Sequence, residues 1–237
     1  MSTKRKPIDI ADDQSKTDRV YRDLRRRIRE LALPPGLQLD KYRIAEEYGV
    51  SRAPISDAIT RLASEGLVDI FPQSGSFVAP IRLEQLQQSL LIRTGLEVEV
   101  VRRVAPLVDQ KLLDALKTNL DAQAVAVKRN DNATLDDLDE AFHAMIMGVL
   151  KVPEADKLLD RMRAILDRPR FQTLPEGGRP ADTYAEHRRI YDALCTRDPE
   201  LAGAAMRIHL VMVAKAIDRY IAHESADARP KSRRARS

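Results

Sequence analysis

Apolar residues at Val20, Tyr21, Leu24 and Ile28 follow the three- and four-residue steps of a helix with one buried face, which predicts a helix from Thr17 or Asp18 to Leu31. Leu33-Pro34-Pro35-Gly36 breaks it. Ile44-Ala45-Glu46-Glu47-Tyr48 forms a second, shorter helical run that meets a turn at Gly49. After the turn, Ile55, Ile59 and Leu62 again share one helical face. Ser51 suits the N-cap through its hydroxyl, Pro54 falls in the first turn where a missing N–H costs little, and Gly66 suits the stop. The period then shortens. Leu67-Val68-Asp69-Ile70-Phe71 and Gly75-Ser76-Phe77-Val78 flank Pro72-Gln73-Ser74-Gly75, which predicts a hairpin with a glycine turn. Past Ala79-Pro80 the text reads as helix throughout, at about 83–105, 109–129, 131–150, 153–168, 181–197 and 198–223. Pro106, Pro153, Pro169 and Pro199 stand at or near those boundaries, and Leu174-Pro175-Glu176-Gly177-Gly178 is the one clear long loop.

This pattern predicts a mainly α chain: an N-terminal winged helix-turn-helix of three helices plus a small β-hairpin, then an all-α bundle of six or seven helices. The expected organisation is a flexible arm over 1–16, the winged unit over 17–80, the helical domain over 81–223 and a disordered basic tail over 224–237. Two short helices joined by a glycine turn, the second opening with small and polar residues, suit insertion of that second helix into the DNA major groove.

Composition narrows the reading without changing it. The chain of 237 residues is 43% hydrophobic, enough for a core and too much for a disordered protein. With 32% charged and 4% aromatic residues, the expectation is a helix-rich surface over an aliphatic core. No apolar run reaches the ~18 residues of a membrane span, and the polar N-terminus has no signal-peptide core. The expected setting is therefore cytoplasmic, with no membrane partner. Cys195 is the only cysteine, so neither a disulfide within the chain nor a CxxC site is available, and it is expected as a small buried helix residue. The formal charge of +4 is compatible with nucleic acid. Residues 1–80 hold 14 basic and 12 acidic side chains, so DNA affinity has to come from placement rather than bulk charge. Arg19, Arg22, Arg25, Arg26, Arg27 and Arg29 are concentrated, and a solvated helix face explains them as readily as phosphate contact.

Residues 17–223 resemble the GntR-type bacterial transcription regulators. The N-terminal match lies in Leu33-Pro34-Pro35-Gly36, Leu39, Ile44-Ala45, Gly49-Val50-Ser51-Arg52, Pro54, Arg61-Leu62, Glu65-Gly66-Leu67-Val68 and Gly75-Ser76-Phe77-Val78. The C-terminal match is to the all-helical effector domain (FCD type) of the FadR-like branch. It lies in Arg93 and Glu97, Asp139-Glu140-Ala141-Phe142-His143, the run from Glu186 to Leu194, Asp198, Ala202, Met206 and His209-Leu210. One departure stands out: Ser56 occupies the place of a usual family arginine that contacts DNA, and Asp57 and Ile59 replace Glu and Leu.

The resemblance implies a homodimer that binds double-stranded, palindromic operator DNA as a repressor. Arg52 is the candidate base reader, since its fork matches O6 and N7 of guanine. Ser51 would cap the helix and donate to a phosphate, Ala53 would meet a thymine methyl, and Ser56 stands where the arginine is missing. Arg43 and Arg61 are candidate backbone contacts, with plain helix-surface charge as the equal alternative. Gly75 would let the wing come close to DNA.

Four further residues form a candidate metal site. Asp139 and His143 are four apart on one helix and share a face, and His187 and His209 lie on later helices that a bundle can bring inward. Three imidazoles and a carboxylate suit a divalent ion such as zinc, nickel or manganese. In the metal-binding subset of the resembled family, open coordination positions accept a small organic-acid effector. Arg93 is a candidate for the effector carboxylate, with an intrahelical pair to Glu97 as the alternative. His223 matches no motif and is expected at the surface. Two other readings remain. One is a regulator for which the ion itself is the signal. The other is a metal-dependent hydrolase fused to a DNA-binding module, with Glu186 beside His187 as its base, although adjacent helix positions diverge and no HExxH pattern occurs.

Overall fold

The computed structural model describes residues 10–173 and 179–227, and the chain divides into two compact units between Arg82 and Leu83. The first unit contains α1 (Ile10–Arg29), α2 (Lys41–Tyr48), α3 (Arg52–Ser64) and an antiparallel hairpin, β1 (Val68–Phe71) with β2 (Gly75–Val78). It is a winged helix-turn-helix. Val20, Tyr21, Leu24 and Ile28 of α1 are buried, as are Ile55, Ala58, Ile59 and Leu62 of α3, and the two helices pack together. α1 starts at Ile10, seven residues before the predicted start, which removes part of the expected arm. No glycine or proline interrupts residues 10–16, and Asp12 and Asp13 suit the positive end of a helix.

Asp40 caps α2 by accepting from the backbone N–H of Tyr42 and Arg43. Gly49 ends α2 at φ 63°, and its N–H returns to the α2 carbonyls. That left-handed conformation is open to glycine at little cost, which is why the turn sits there. The segment before α2 ties into the wing: Gly36 and Leu39 donate to Val78 and Ser76 carbonyls, and Val78 donates back to Leu37.

The second unit is all-α: α4 (Leu83–Val104), a 3-10 turn at Ala105–Leu107, α5 (Gln110–Arg129), α6 (Asn132–Met147), α7 (Pro153–Thr173), α8 (Pro180–Thr196) and α9 (Pro199–Asp227). Its core joins Val98, Val101 and Val104 of α4 with Leu116 and Leu120, Phe142 and Ile146, Leu159, Ile190 and Leu194, and Met206 and Leu210. α7 runs through Pro169 instead of stopping at 168. A proline inside a helix costs about 3 kcal/mol. The helix nonetheless continues to Thr173, and its earlier turns bury Leu159, Met162, Ile165 and Leu166. α9 extends to Asp227, into the expected tail. Residues 1–9, the loop at 174–178, the side chain of His223 and the rest of the tail lie outside the described residues. No described helix is long and apolar enough to cross a membrane.

Cys195 is exposed, not buried. The inward face of α8 is Thr183, Glu186, His187, Ile190 and Leu194, and Cys195 follows Leu194 by one residue, about 100° further round the helix.

Candidate metal centre and nucleic-acid interface

Histidines from three helices meet inside the second unit. His143 of α6, His187 of α8 and His209 of α9 are all buried, and one ring nitrogen from each lies within 4.8 Å of the other two. Each lies on the inward face of its helix. The outer nitrogens face acceptors: Nδ1 of His143 lies 2.6 Å from Glu97 Oε2, Nδ1 of His187 lies 2.9 Å from Gln123 Oε1, and Nδ1 of His209 lies 2.9 Å from Glu186 Oε2. All three Nε2 atoms are buried without a hydrogen-bond partner. A buried polar atom left unpaired is costly, so a convergent set of three calls for a common partner. Asp139 of α6 faces the same place, with Oδ1 3.3 Å from Nε2 of His187.

The surroundings fix the tautomer. Burial pushes His143 down to about 3 and His209 down to about 4. For these two rings, a neutral imidazole with Nδ1–H turned to its outer carboxylate leaves the Nε2 lone pair free, which is the arrangement a metal ligand needs. Burial works to raise the Glu97 carboxyl, but Arg93, His143 and Arg163 hold it well below the usual range. Burial likewise works to raise Glu186, and His209 with Arg179 holds it down. Gln123 is oriented in turn, because its Nε2 donates to Asn119 Oδ1 at 2.7 Å and Asn119 donates to the Leu138 carbonyl at 3.1 Å. Phe142 stacks on His187 with centroids 4.5 Å apart and fixes the ring plane.

Arg93 is placed in the intrahelical pair. Its Nε donates to Glu97 at 2.6 Å, fully inside the bundle. Glu186, weighed as a hydrolytic base, is taken by His209 and Arg179. Sequence reasoning gave Gln123 no role. Its signal was a polar residue in the apolar stripe of α5, among the buried Leu116, Leu120 and Ala126.

A pH test follows from the depressed imidazoles. An unfolded histidine takes up its proton near 6.5, whereas folded His143 and His209 do so near 3 and 4. Below about pH 6.5 the unfolded state therefore binds more protons, and stability falls with pH by up to about 1.4 kcal/mol per unit for each such histidine. Metal-free protein kept in chelator should lose melting temperature steadily from pH 6.5 to 5, a window above most carboxylate titration. A flat melting temperature across it would contradict the depressed His143 and His209.

In the first unit, α3 turns Pro54, Ile55, Ala58, Ile59 and Leu62 inward. Arg52, Ala53, Asp57, Thr60 and Arg61 are exposed and Ser56 is half-buried, so the predicted reading face is open at its N-terminal end. Ser51 stands at the N-cap, but its side chain makes no cap hydrogen bond. Arg43 is exposed. Arg61 is engaged: Nη1 lies 3.0 Å from Asp18 Oδ1, and its guanidinium carbon stands 3.6 Å from the Tyr21 ring centroid. These contacts join α3 to α1. Gly75 takes φ 115°, a conformation that favours glycine, and a Cβ there would lie 2.9 Å from the movable amide end of Gln38. The wing has no lysine or arginine between Leu62 and Ile81, and Ile70 and Phe71 are exposed on it.

Residues 16–78 match the family described as bacterial regulatory proteins, gntR family, and residues 88–212 match the FCD domain. The chain is 30% identical over 214 residues to the HTH-type transcriptional repressor RspR of Escherichia coli K12, covering 90% of this chain and 93% of the relative. It is 33% identical over 216 residues to an uncharacterized HTH-type transcriptional regulator from Streptomyces ambofaciens, covering 90% and 91%. In fold it is similar to E. coli McbR/YncC, with a TM-score of 0.77 at 20% identity, over 86% of this chain and 98% of that one.

Proposed function

We propose, from the premise that the chain belongs to the GntR family of bacterial regulatory proteins and carries an FCD domain, that it represses transcription as a homodimer on a palindromic operator and responds to a small organic acid at a divalent metal centre. Members of this family are DNA-binding transcription regulators, not enzymes. Repression is favoured because a relative matched over most of both chains is named a repressor.

The observation that carries the effector half is the convergence of three buried imidazoles whose Nε2 atoms have no hydrogen-bond partner. His143, His187 and His209 would hold the ion, with Asp139 the nearest carboxylate to add a fourth ligand. Such an ion supplies Lewis acidity, with a coordination position open to a carboxylate oxygen. Glu97, Gln123 and Glu186 aim the three rings through their Nδ1 atoms. Zinc, nickel and manganese all suit this donor set. An effector acts only if it binds the DNA-competent and incompetent states unequally.

In the DNA-reading half, Arg52 at the open start of α3 is the base reader, Ser51 and Arg43 contact phosphate, and Ala53 and Ser56 line the same face. The test is binding to the duplex that the wild-type protein enriches from a randomised pool. Arg52→Ala should remove about 1–3 kcal/mol of discrimination against a scrambled duplex. Unchanged discrimination would take Arg52 out of base reading.

A further inference from the structure

Tyr42 is on the first turn of α2 and is 67% exposed, so its ring is not held there by the core. It reaches across the helix-turn-helix to the side chain just assigned to base reading. Arg52 Nη1 donates to the Tyr42 hydroxyl at 2.7 Å, and the guanidinium carbon stands 4.8 Å from the ring centroid. The main chain at Tyr42 is held by the cap, since its backbone N–H donates to the Asp40 carboxylate at 2.8 Å.

We propose that Tyr42 is a positioning residue for base recognition, holding the Arg52 guanidinium at the angle from which its fork meets a guanine edge. The proposal rests on the base-reading role of Arg52. A long arginine on an exposed helix start samples many rotamers, and ordering it on binding reduces both affinity and discrimination. A hydroxyl acceptor and a ring face together limit those rotamers before DNA arrives, and they leave the other guanidinium nitrogens available to the base. The ion pair that would do this more strongly, with a carboxylate in place of the phenol, would compete with the base for the same fork. The neutral Tyr42 hydroxyl orients the cation without neutralising it.

The experiment uses the full chain and the duplex enriched by wild-type protein from a randomised pool, with each base pair then changed singly. Arg52→Ala identifies the base pair whose penalty it abolishes. Tyr42→Phe keeps the ring and removes only the acceptor. It should lower the penalty at that same pair by at least about threefold, a part of the roughly 5–150-fold that a bidentate contact supplies. Its salt dependence should match wild type, because no phosphate contact is lost. In the Arg52→Ala background, Tyr42→Phe should change nothing further. A wild-type penalty in Tyr42→Phe, or an equal effect with and without Arg52, would overturn the proposal. If Arg52→Ala itself alters no single-base penalty, the base-reading assignment fails first and the proposal falls with it.

Discussion

Replacing His187 with alanine is expected to leave the second unit without its divalent ion. His187 stands among the three buried imidazoles, with Nε2 nearest to Asp139 and Nδ1 anchored on Gln123. Changes to outer partners of metal ligands typically cost about 10–100-fold in affinity, and loss of a ligand should exceed that. Elemental analysis of protein purified without chelator should show near-background metal in this variant and near-stoichiometric metal in wild type. Alanine also opens a space beside Phe142, which stacks on His187. His209→Gln therefore serves as a second variant that keeps more volume. Melting of both variants and wild type in chelator separates metal loss from lost packing. Full occupancy in both variants would remove these histidines from the site.

Glu97→Ala should be the most destabilising single change in the bundle, by about 3–5 kcal/mol. Glu97 is 1% exposed, and two arginines and a histidine depend on it. Arg93 lies 2.6 Å away, Arg163 3.3 Å and His143 2.6 Å. Removing the carboxylate takes from two buried guanidinium groups the counter-charge they share. The contrast is the exposed pair Lys117–Asp121, with side chains 51% and 65% accessible, where Lys117→Ala should cost under about 1 kcal/mol. Urea denaturation of both variants in chelator makes the comparison. Similar small losses for both would show that Glu97 has no special place in the core.

Much of this architecture was legible because the two periods in the chain are clean. Val20, Leu24 and Ile28 mark α1, and the β-branched and aromatic residues around Gly75 mark the wing; both elements form where those patterns stand. The elements that differ are those where a local signal lost to context. Pro169 reads as a stop, yet α7 runs on to Thr173. Cys195 reads as buried from its size, and only the angular position of Leu194 shows that it faces out. Ser51 reads as a capping hydroxyl, but the turn leaves its side chain unbonded. At the candidate metal centre, the histidines were visible as isolated residues on motifs. Their outer partners were not, because Gln123, Glu97 and Glu186 come from three other turns of the bundle, and only packing brings them to the rings.

The most direct test is the metal content and ligation of the wild-type chain, purified without added metal or chelator and then titrated with zinc, nickel and manganese. The account predicts a tightly held divalent ion bound through imidazole Nε2 atoms, visible as metal–nitrogen scattering in X-ray absorption and lost in His187→Ala. A folded protein that arrives without metal and takes up none of the three ions would contradict it.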